Sequence, residues 1–471
     1  MTPGTPTATF RDPAGSLRLE DDFAVRTIHP SARDQVMEFV TSQFCSRLQD
    51  RGDMVAITIR NTPAGLQLLH PKVPVPTYPW EWTPSQWLAA AQLTLALCAE
   101  ALSEGWVLKD ATPLNILFVG SRPVLVDVLS FEPWDPAPKN YASHIWLAYG
   151  QYVRTFLLPL LMNRMLSWPL ELAMFKRDGY EPAELYKTLS WRQRLSRAAF
   201  LPVTLAARLD EKSGAREGVK RGQTSAAKVA VQQKSPELAI YLLKRTMADL
   251  RKRTRRAMPE AVGSEWDNYT ATMKHYTAKE SGQKLEWVRN VVEDLKPARV
   301  LDIGANTGVF SALAAEHGAQ VVALERDAAA AESLFRMSRR SKLSIQTIHA
   351  DLARPTPAVG WENGETSTLL HRLEAKSELV LMLAVIHHLI LMEQIPIRSI
   401  LDLVYRLTWR YLVVEWVPVT DPMFQSLMRG RDSLYGALSE SDLLAACEGR
   451  FHTLRRQPLE NGRVLFLFAK D

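Results

Sequence analysis

Short apolar segments recur along the C-terminal half of the chain with helical stretches between them. From about residue 280 the apolar runs have strand length, and Val309–Glu316 and Ala328–Arg339 have the spacing of amphipathic helices. The predicted strands are Val300–Ile303, Gln320–Glu325, Ser344–His349, Leu379–Ala384, Tyr411–Glu415, Phe451–Arg455 and Arg463–Phe468. This alternation predicts an α/β fold, a mostly parallel sheet with helices on both faces, and the segment QPLENG predicts an antiparallel hairpin at its end.

The N-terminal half has a different pattern and predicts an α+β, helix-rich domain. A helical continuation runs from Tyr141 to Leu209, rich in tryptophan, leucine and arginine. The best domain boundary follows it, in the polar and basic segment EKSGAREGVKRGQTSAAK. The predicted organisation is a disordered tail over 1–15, a helical N-terminal domain over 16–209, a basic helical linker over 210–262 and an α/β domain over 263–471.

Bulk composition excludes several protein classes. The 471 residues are 46% hydrophobic and 23% charged, which is typical of globular domains. Cys45, Cys98 and Cys447 form no CxxC pair, so neither a disulfide framework nor a zinc knuckle is expected. No secretory signal is visible, and the most apolar run, FLLPLLM, is too short to cross a bilayer. These features predict a soluble cytoplasmic protein.

Positive charge is concentrated in one part of the chain. The net charge is +6, yet residues 192–256 alone contain 17 lysines or arginines against five acids. Such a segment suits contact with nucleic acid or an anionic surface. A solvated helical linker is the preferred interpretation, because no aromatic residue lies between Phe200 and Tyr241.

The segment VLDIGANTGVF, residues 300–310, predicts a nucleotide-type cofactor site. Gly304 and Gly308 permit positive φ and close approach of the backbone to a ligand. Asn306 is one of the few other residue types that tolerates the left-handed conformation. Asp302, at the end of the strand, is placed to orient the loop or to accept a hydrogen bond from a ligand amine.

Acids after the next two strands complete this pattern. Glu325 lies 21 residues beyond Gly304 and is positioned to accept both hydroxyls of a ribose. Asp351 follows the third strand and is placed to accept from an adenine amino group. The predicted cofactor-binding residues are Asp302, Gly304, Ala305, Asn306, Gly308, Glu325, Arg326, Asp351 and Leu352.

The turn D-x-G-x-N-x-G lacks both the G-x-G-x-x-G spacing and a Walker lysine. With Glu325 and Asp351, it resembles the class I S-adenosylmethionine-dependent methyltransferases. That resemblance implies a Rossmann-like sheet and S-adenosyl-L-methionine as cofactor, with the loop around the methionine part, Glu325 on the ribose and Asp351 at the adenine. Asn306 replaces the middle glycine of the commoner family pattern.

The segment AVIHHLI after the fourth strand supplies candidate bases. In the methyltransferase fold this stretch faces the transferred methyl group. His387 and His388 are adjacent, so only one of them can readily point into a site. A neutral imidazole could deprotonate the acceptor, and the alternative is a histidine that caps the helix or packs against the cofactor. Glu415, at the end of the fifth strand, is either a further base or a buried structural acid.

In the N-terminal half, LKDATPLNILF and RPVLVDVLSFE place Asp110, Asn115 and Asp127 at a distinctive spacing. This resembles the catalytic and metal-binding loops of the protein-kinase and aminoglycoside-phosphotransferase fold. No glycine-rich phosphate loop is present, and Arg26 is the nearest substitute for the missing lysine. A kinase-like domain without transfer activity is preferred to chance spacing or to an active phosphotransferase, and a metal at the three residues is doubtful.

Taken together, YPWEW, LKDATPLNILF, DIGANTG, AVIHHL and VVEWVP resemble bacterial two-part methyltransferase-like proteins that include nodulation host-specificity proteins. The resemblance implies an enzyme that transfers a methyl group to a small-molecule or glycan-like acceptor. A non-catalytic cofactor-binding scaffold and an RNA methyltransferase that grips nucleic acid through the basic segment are the alternatives. The oligomeric state is left open.

Overall fold

A computed structural model describes residues 12–63, 65–139, 141–209, 235–259, 278–428 and 430–471. These residues form two compact units. Unit 1 contains the described residues of Met1–Val73, Tyr78–Leu117 and Pro123–Glu260. Unit 2 contains those of Pro74–Thr77, Phe118–Arg122 and Ala261–Asp471.

The strands before residue 260 are short and mostly antiparallel. A four-stranded sheet has the order β1-β2-β4-β3, and two further pairs are β5-β8 and β6-β7. Their bounds are β1 Gly15–Leu19, β2 Phe23–Ile28, β3 Thr58–Thr62, β4 Gly65–Pro71, β5 Trp106–Leu108, β6 Ile116–Val119, β7 Arg122–Leu125 and β8 Phe131–Pro133.

Helices make up most of the rest of unit 1. They are α1 Arg33–Val40, α2 Gln43–Asp50, α3 Pro84–Ala101, α4 Tyr149–Tyr152, α5 Leu158–Leu166, α6 Pro182–Thr188, α7 Trp191–Arg194 and α8 Pro236–Ala257, with π-helical turns at Val153–Leu157 and Phe200–Leu205. Helix α3 begins with a capping box. The Thr83 side chain accepts a hydrogen bond from the backbone N–H of Gln86, and the Gln86 side chain accepts one from the backbone N–H of Thr83.

The predicted basic helical linker, 210–262, is described only in part. Helix α8 forms in that part and packs within unit 1. Its apolar face buries Ala239, Leu243 and Met247. The hydroxyl of Tyr152 lies 2.8 Å from Thr254 Oγ1 in the same interface. Residues 210–234 and the tail residues 1–11 lie outside the described part of the chain.

Unit 2 is a Rossmann-like α/β domain with a seven-stranded sheet in the order β11-β10-β9-β12-β13-β15-β14. The strands are β9 Arg299–Ile303, β10 Gln320–Glu325, β11 Ile345–His349, β12 Ser377–Met382, β13 Thr408–Trp416, β14 Phe451–Pro458 and β15 Val464–Lys470. The first five are parallel, whereas β15 is antiparallel to both of its neighbours, β13 and β14. All seven predicted strands and the antiparallel end are therefore confirmed.

Helices cover both faces of this sheet. They are α9 Ala278–Leu295, α10 Val309–Glu316, α11 Ala328–Ser341, α12 Leu369–Leu373, α13 Ile386–Leu391, α14 Ile397–Leu407, α15 Pro422–Met428, α16 Asp432–Tyr435 and α17 Glu440–Cys447. Successive side chains of a strand enter opposite cores: Val300 packs with Val288 and Leu313, and Leu301 packs in the cluster of the other face. Strands buried on both faces explain the continuous apolar runs in the sequence.

Among the described residues, no helix is long and apolar enough to cross a membrane.

Candidate functional site

The turn after β9 has the backbone conformation that its sequence predicts. Gly304, Asn306 and Gly308 have φ of 70°, 51° and 90°. A Cβ at Gly304 would lie 2.5 Å from Val385 Cγ2, so a side chain is excluded there by contact as well as by conformation. The turn is thereby held close to the end of β12.

Glu325 connects the loop after β9 to the end of β10 by hydrogen bonds. Its Oε2 accepts a hydrogen bond from the backbone N–H of Asn306 at 2.7 Å, and its Oε1 accepts one from Asp327 at 2.7 Å. The side chain is nearly buried but still lines the cavity described below. Each carboxylate oxygen retains a lone pair for a ligand hydroxyl.

Asp302 is the most deeply buried acid of the loop region. It accepts a hydrogen bond from Ser311 Oγ at 2.6 Å, which connects the end of β9 to helix α10. Burial raises the pKa of Asp302 to about 6, against the opposing effect of the Ser311 hydrogen bond. At neutral pH the group therefore keeps a negative charge that can meet a ligand ammonium.

These residues surround a cavity of about 440 Å³ at the carboxyl ends of the parallel strands. Strands β9 and β12 are neighbours in the sheet. Strands β10 and β11 lie on one side of β9, whereas β12 and β13 lie on its other side, so the order of the strands switches between β9 and β12. Open α/β sheets bind ligands in the crevice at such a switch point. The loop and strand-end residues that line the cavity include Asp302, Gly304, Ala305, Asn306, Glu325, Arg326, Asp351, Leu352 and His388. Of the predicted cofactor-binding residues only Gly308 is absent from this lining; a Cβ at Gly308 would lie 2.9 Å from Leu334.

Charged side chains form one rim of the cavity. Asp351 Oδ1 accepts from the backbone N–H of Ala353, and its Oδ2 lies 3.1 Å from Arg354. Arg354 also reaches Glu393 at 2.6 Å, and Arg326 reaches the same carboxylate at 3.4 Å. The acid predicted to meet an adenine is thus already part of an exposed ion-pair network.

The structure distinguishes the two adjacent histidines. His388 lines the cavity, whereas His387 is not among the lining residues and is only 2% exposed. Burial and the charges of Arg326 and Arg463 lower the pKa of His388, so its imidazole is neutral at pH 7. His387 Nδ1 and Nε2 are buried without a hydrogen-bond partner among the described residues. Of the two histidines, His388 alone lines the cavity.

Glu415 lies outside the cavity lining and is fully buried. Its Oε2 is 2.5 Å from Lys284 Nζ, and its Oε1 is 3.2 Å from Arg463 Nη1. Arg463 continues the chain of charges to Asp421 at 2.8 Å. Glu415 is thus held between Lys284 and Arg463, away from the lining of the cavity.

Sequence reasoning missed Lys284, Phe310 and Glu393, which all line the cavity. The Lys284 ammonium lies 5.0 Å from the centre of the Phe310 ring. One signal was available, because Lys284 precedes Val288 and Val291 at helical spacing and is therefore a cation on an apolar helix face. Glu393 has no comparable signal, since an acid after a helix is ordinarily a solvated residue.

In unit 1, two of the three kinase-like residues are linked. Asn115 Nδ2 donates to Ser130 Oγ at 2.9 Å, and Ser130 donates to Asp127 Oδ2 at 2.6 Å. Arg26 Nη2 lies 3.0 Å from Asp127 Oδ1, and the Arg26 side chain is only 4% exposed. Burial, and secondarily the charge of Asp127, raises the pKa of Asp110. Among the described residues no cluster of His, Cys, Asp or Glu has the arrangement of a metal site.

The chain is similar to a curated protein and to several solved structures. No family model matches it. Among solved structures, WbdD aligns with 17% identity over 40% of this chain and 39% of its own, at a TM-score of 0.30. Magnesium protoporphyrin IX methyltransferase from Synechocystis PCC 6803, crystallised with SAH, aligns with 15% identity over 41% of this chain and 84% of its own, also at 0.30. The predicted likeness to nodulation proteins is confirmed: the whole chain is 27% identical, over 488 aligned residues and 97% of the relative, to Nodulation protein NoeA of Rhizobium meliloti (strain 1021).

Proposed function

We propose that unit 2 binds S-adenosyl-L-methionine and transfers its methyl group to a small-molecule or glycan-like acceptor. The observation that carries the proposal is the cavity at the switch point between β9 and β12, lined by Asp302, the Gly304 turn and Glu325. Its volume of about 440 Å³ lies within the range of small-molecule and cofactor sites.

The donors and acceptors along the cavity fit the parts of this cofactor. Glu325 is the acceptor for the ribose hydroxyls, and Asp302 supplies a negative charge for the methionine amine. Asp351 and Leu352 offer a polar and an apolar contact for the adenine. When bound, the cofactor supplies an electrophilic methyl group.

The protein's own contribution is mainly orientation. The loop and Glu325 would hold the cofactor, and an acceptor bound beside His388 would share the same cavity, so that binding itself would orient the two reactants. His388 is neutral at pH 7, and it would take up the proton that the acceptor atom loses. Lys284 also lines the cavity and is held in place by Glu415.

Binding is tested by isothermal titration with S-adenosylmethionine and S-adenosylhomocysteine. Asp302→Ala and Glu325→Ala are expected to weaken both ligands by about tenfold or more, since each removes hydrogen bonds to a charged group. Glu316→Gln, on an exposed residue of α10, is the matched control. Unchanged affinity in both alanine variants would show that the site is elsewhere.

Catalysis is tested by incubation with S-adenosylmethionine labelled in its methyl group and with fractions of cell extract. Label in a small-molecule or glycan fraction supports the proposed acceptor class. Label in RNA, with binding that weakens steeply with salt, would support an RNA methyltransferase instead. Cofactor binding without transfer to any fraction would support a scaffold.

For unit 1 we propose a kinase-like domain without phosphotransfer. Arg26 already neutralises Asp127 in a buried pair, so a magnesium ion would have to displace a guanidinium at 3.0 Å. Titration of ATP with and without magnesium tests this. Magnesium-dependent ATP binding that Asp127→Asn abolishes would contradict it.

A further inference from the structure

Unit 1 exposes an unusual number of large apolar side chains within a short stretch. Trp191 is 66% exposed and Leu195 is 62% exposed. Phe200, Leu201 and Leu205 follow, each at least 38% exposed. These five residues are called the Trp191 surface below. The elements Trp191–Arg194 and Phe200–Leu205 contact each other, and a concentration of exposed apolar side chains on a globular protein marks a site of interaction.

The helical segment that carries the second half of this surface is apolar on both sides. Val203 and Pro202 are buried in unit 1, while Leu201 and Leu205 point outward at a spacing of four residues. A helix that is apolar all round is normally covered all round. The inner side is covered by unit 1, because the segment packs on α6 and Thr204 donates to the Arg194 carbonyl at 2.7 Å. The outer side therefore indicates a partner that accepts apolar side chains.

The charged residues within the segment that carries the Trp191 surface all have one sign. Residues 191–209 contain Arg192, Arg194, Arg197 and Arg208 and no acid. The Arg192 guanidinium lies 5.2 Å from the centre of the Trp191 ring, so charge and apolar contact are presented together. An occupant of this surface must offer negative charge at its edge and an apolar interior.

Two occupants other than a lipid surface fit this requirement poorly. A second copy docked by the same face would bring the arginines of both copies together, because a two-fold contact pairs a patch with itself. The following segment, 210–234, contains six lysines or arginines, three acids and no apolar residue larger than valine. It adds positive charge and offers no large side chain to cover the leucines.

We propose that the Trp191 surface docks unit 1 onto a membrane surface that contains anionic lipids. Tryptophan, leucine and phenylalanine would enter the boundary between headgroups and acyl chains, and the arginines would lie at the level of the phosphates. This is a reversible attachment at one leaflet. It goes beyond the proposed methyl transfer and requires no spanning helix.

The test is co-sedimentation of the full chain with vesicles of phosphatidylcholine alone or mixed with phosphatidylglycerol. The wild-type protein is expected to bind the mixed vesicles and to be released by salt. Trp191→Glu combined with Leu201→Glu is expected to lower the partition coefficient by about tenfold or more, because it replaces two large apolar side chains with charged ones at the lipid boundary. Trp361→Glu is the matched control, because Trp361 is 63% exposed in unit 2.

A second variant separates charge from apolar contact and guards against misfolding. Arg192→Gln with Arg197→Gln is expected to weaken binding to mixed vesicles by about fivefold per arginine and to leave the circular dichroism spectrum unchanged. Failure of the wild-type protein to bind, or binding that neither variant reduces, would overturn the proposal. So would a concentration-dependent dimer in solution that Trp191→Glu dissociates, because that result would identify a second copy as the occupant.

Discussion

The carboxylate of Glu325 accepts a hydrogen bond from the backbone N–H of Asn306 at 2.7 Å, which ties the second strand of the sheet to the turn after the first. Its other oxygen accepts from Asp327. The same side chain therefore shapes the loop and lines the cavity, and we expect loop structure and cofactor binding to depend on this one group.

Replacing Glu325 by glutamine tests this dual role. In Glu325→Gln, the amide NH₂ group replaces one of the two carboxylate oxygens. That NH₂ group would face a backbone N–H, so one hydrogen bond becomes a repulsive contact between two donors. We expect the affinity for S-adenosylhomocysteine to fall by about 10–100-fold, nearly as far as in Glu325→Ala. Titration calorimetry measures it. Wild-type affinity in the glutamine variant would show that the charge and both acceptors are dispensable.

A comparison of two glycines with positive φ distinguishes the cost of backbone strain from the cost of a steric clash. At Gly318 a Cβ would meet nothing within 4 Å, whereas at Gly304 it would lie 2.5 Å from Val385 Cγ2. Gly318→Ala should therefore cost only the left-handed penalty, about 1–2 kcal/mol. Gly304→Ala should cost about 1–3 kcal/mol more and should abolish ligand binding. Urea unfolding of both variants gives the comparison, and equal losses of stability would contradict the close packing of the loop.

The role of Glu415 is decided by comparing stability with turnover. Glu415→Ala leaves Lys284 and Arg463 buried without their shared carboxylate, and we expect a loss of about 3–5 kcal/mol. The control is Glu440→Ala, which removes an exposed partner of Arg456 and should cost less than about 1 kcal/mol. A Glu415 variant of wild-type stability that lacks methyl transfer would instead identify a base.

His387 should make the protein sensitive to acid. Burial, with the charges of His388 and Arg463, lowers its pKa to about 3, although Glu415 and Asp421 act in the opposite direction. Between pH 6.5 and about 3 the unfolded chain binds a proton that the folded chain does not, so stability falls as the pH is lowered. The expected loss is about 1.4 kcal/mol per pH unit, and none arises above pH 6.5.

His387→Leu removes this titration. The difference in unfolding midpoint between pH 7.5 and pH 5.5 should be smaller in the variant than in the wild-type protein. An identical pH dependence would mean that His387 is protonated in the folded state or is accessible to water.

His388 should affect the rate and not the binding of the cofactor. His388→Gln is expected to lower methyl transfer by about 10²–10⁴-fold, and His387→Gln should have a much smaller effect. Because the pKa of His388 is lowered, the acidic limb of the kcat/KM profile should lie below pH 6.5. A profile that is unchanged in His388→Gln would exclude this imidazole as the base.

The repeating pattern of the C-terminal half was sufficient to predict its sheet. Strands buried on both faces give long apolar runs, and Gly304, Asn306 and Gly308 have the left-handed φ values expected of them. The contacts between side chains that are distant in the sequence could not be predicted from it. Lys284 and Glu415 are separated by 131 positions, and nothing local to either shows that they meet. The choice between His387 and His388 likewise depended on the rotation of one short helix.

The position of β15 has a consequence for synthesis. Since β15 (Val464–Lys470) lies between β13 and β14, a strand that is later in the chain fills a gap between two strands made before it. While a ribosome still encloses residues 464–470, the hydrogen-bonding edge of β13 and the whole of β14 have no neighbour to pair with. Such open edges are where nascent chains join one another. The sheet of unit 2 is therefore a structure that closes after translation of its final strand, and a chaperone that shields the β13 edge should raise the yield of folded protein.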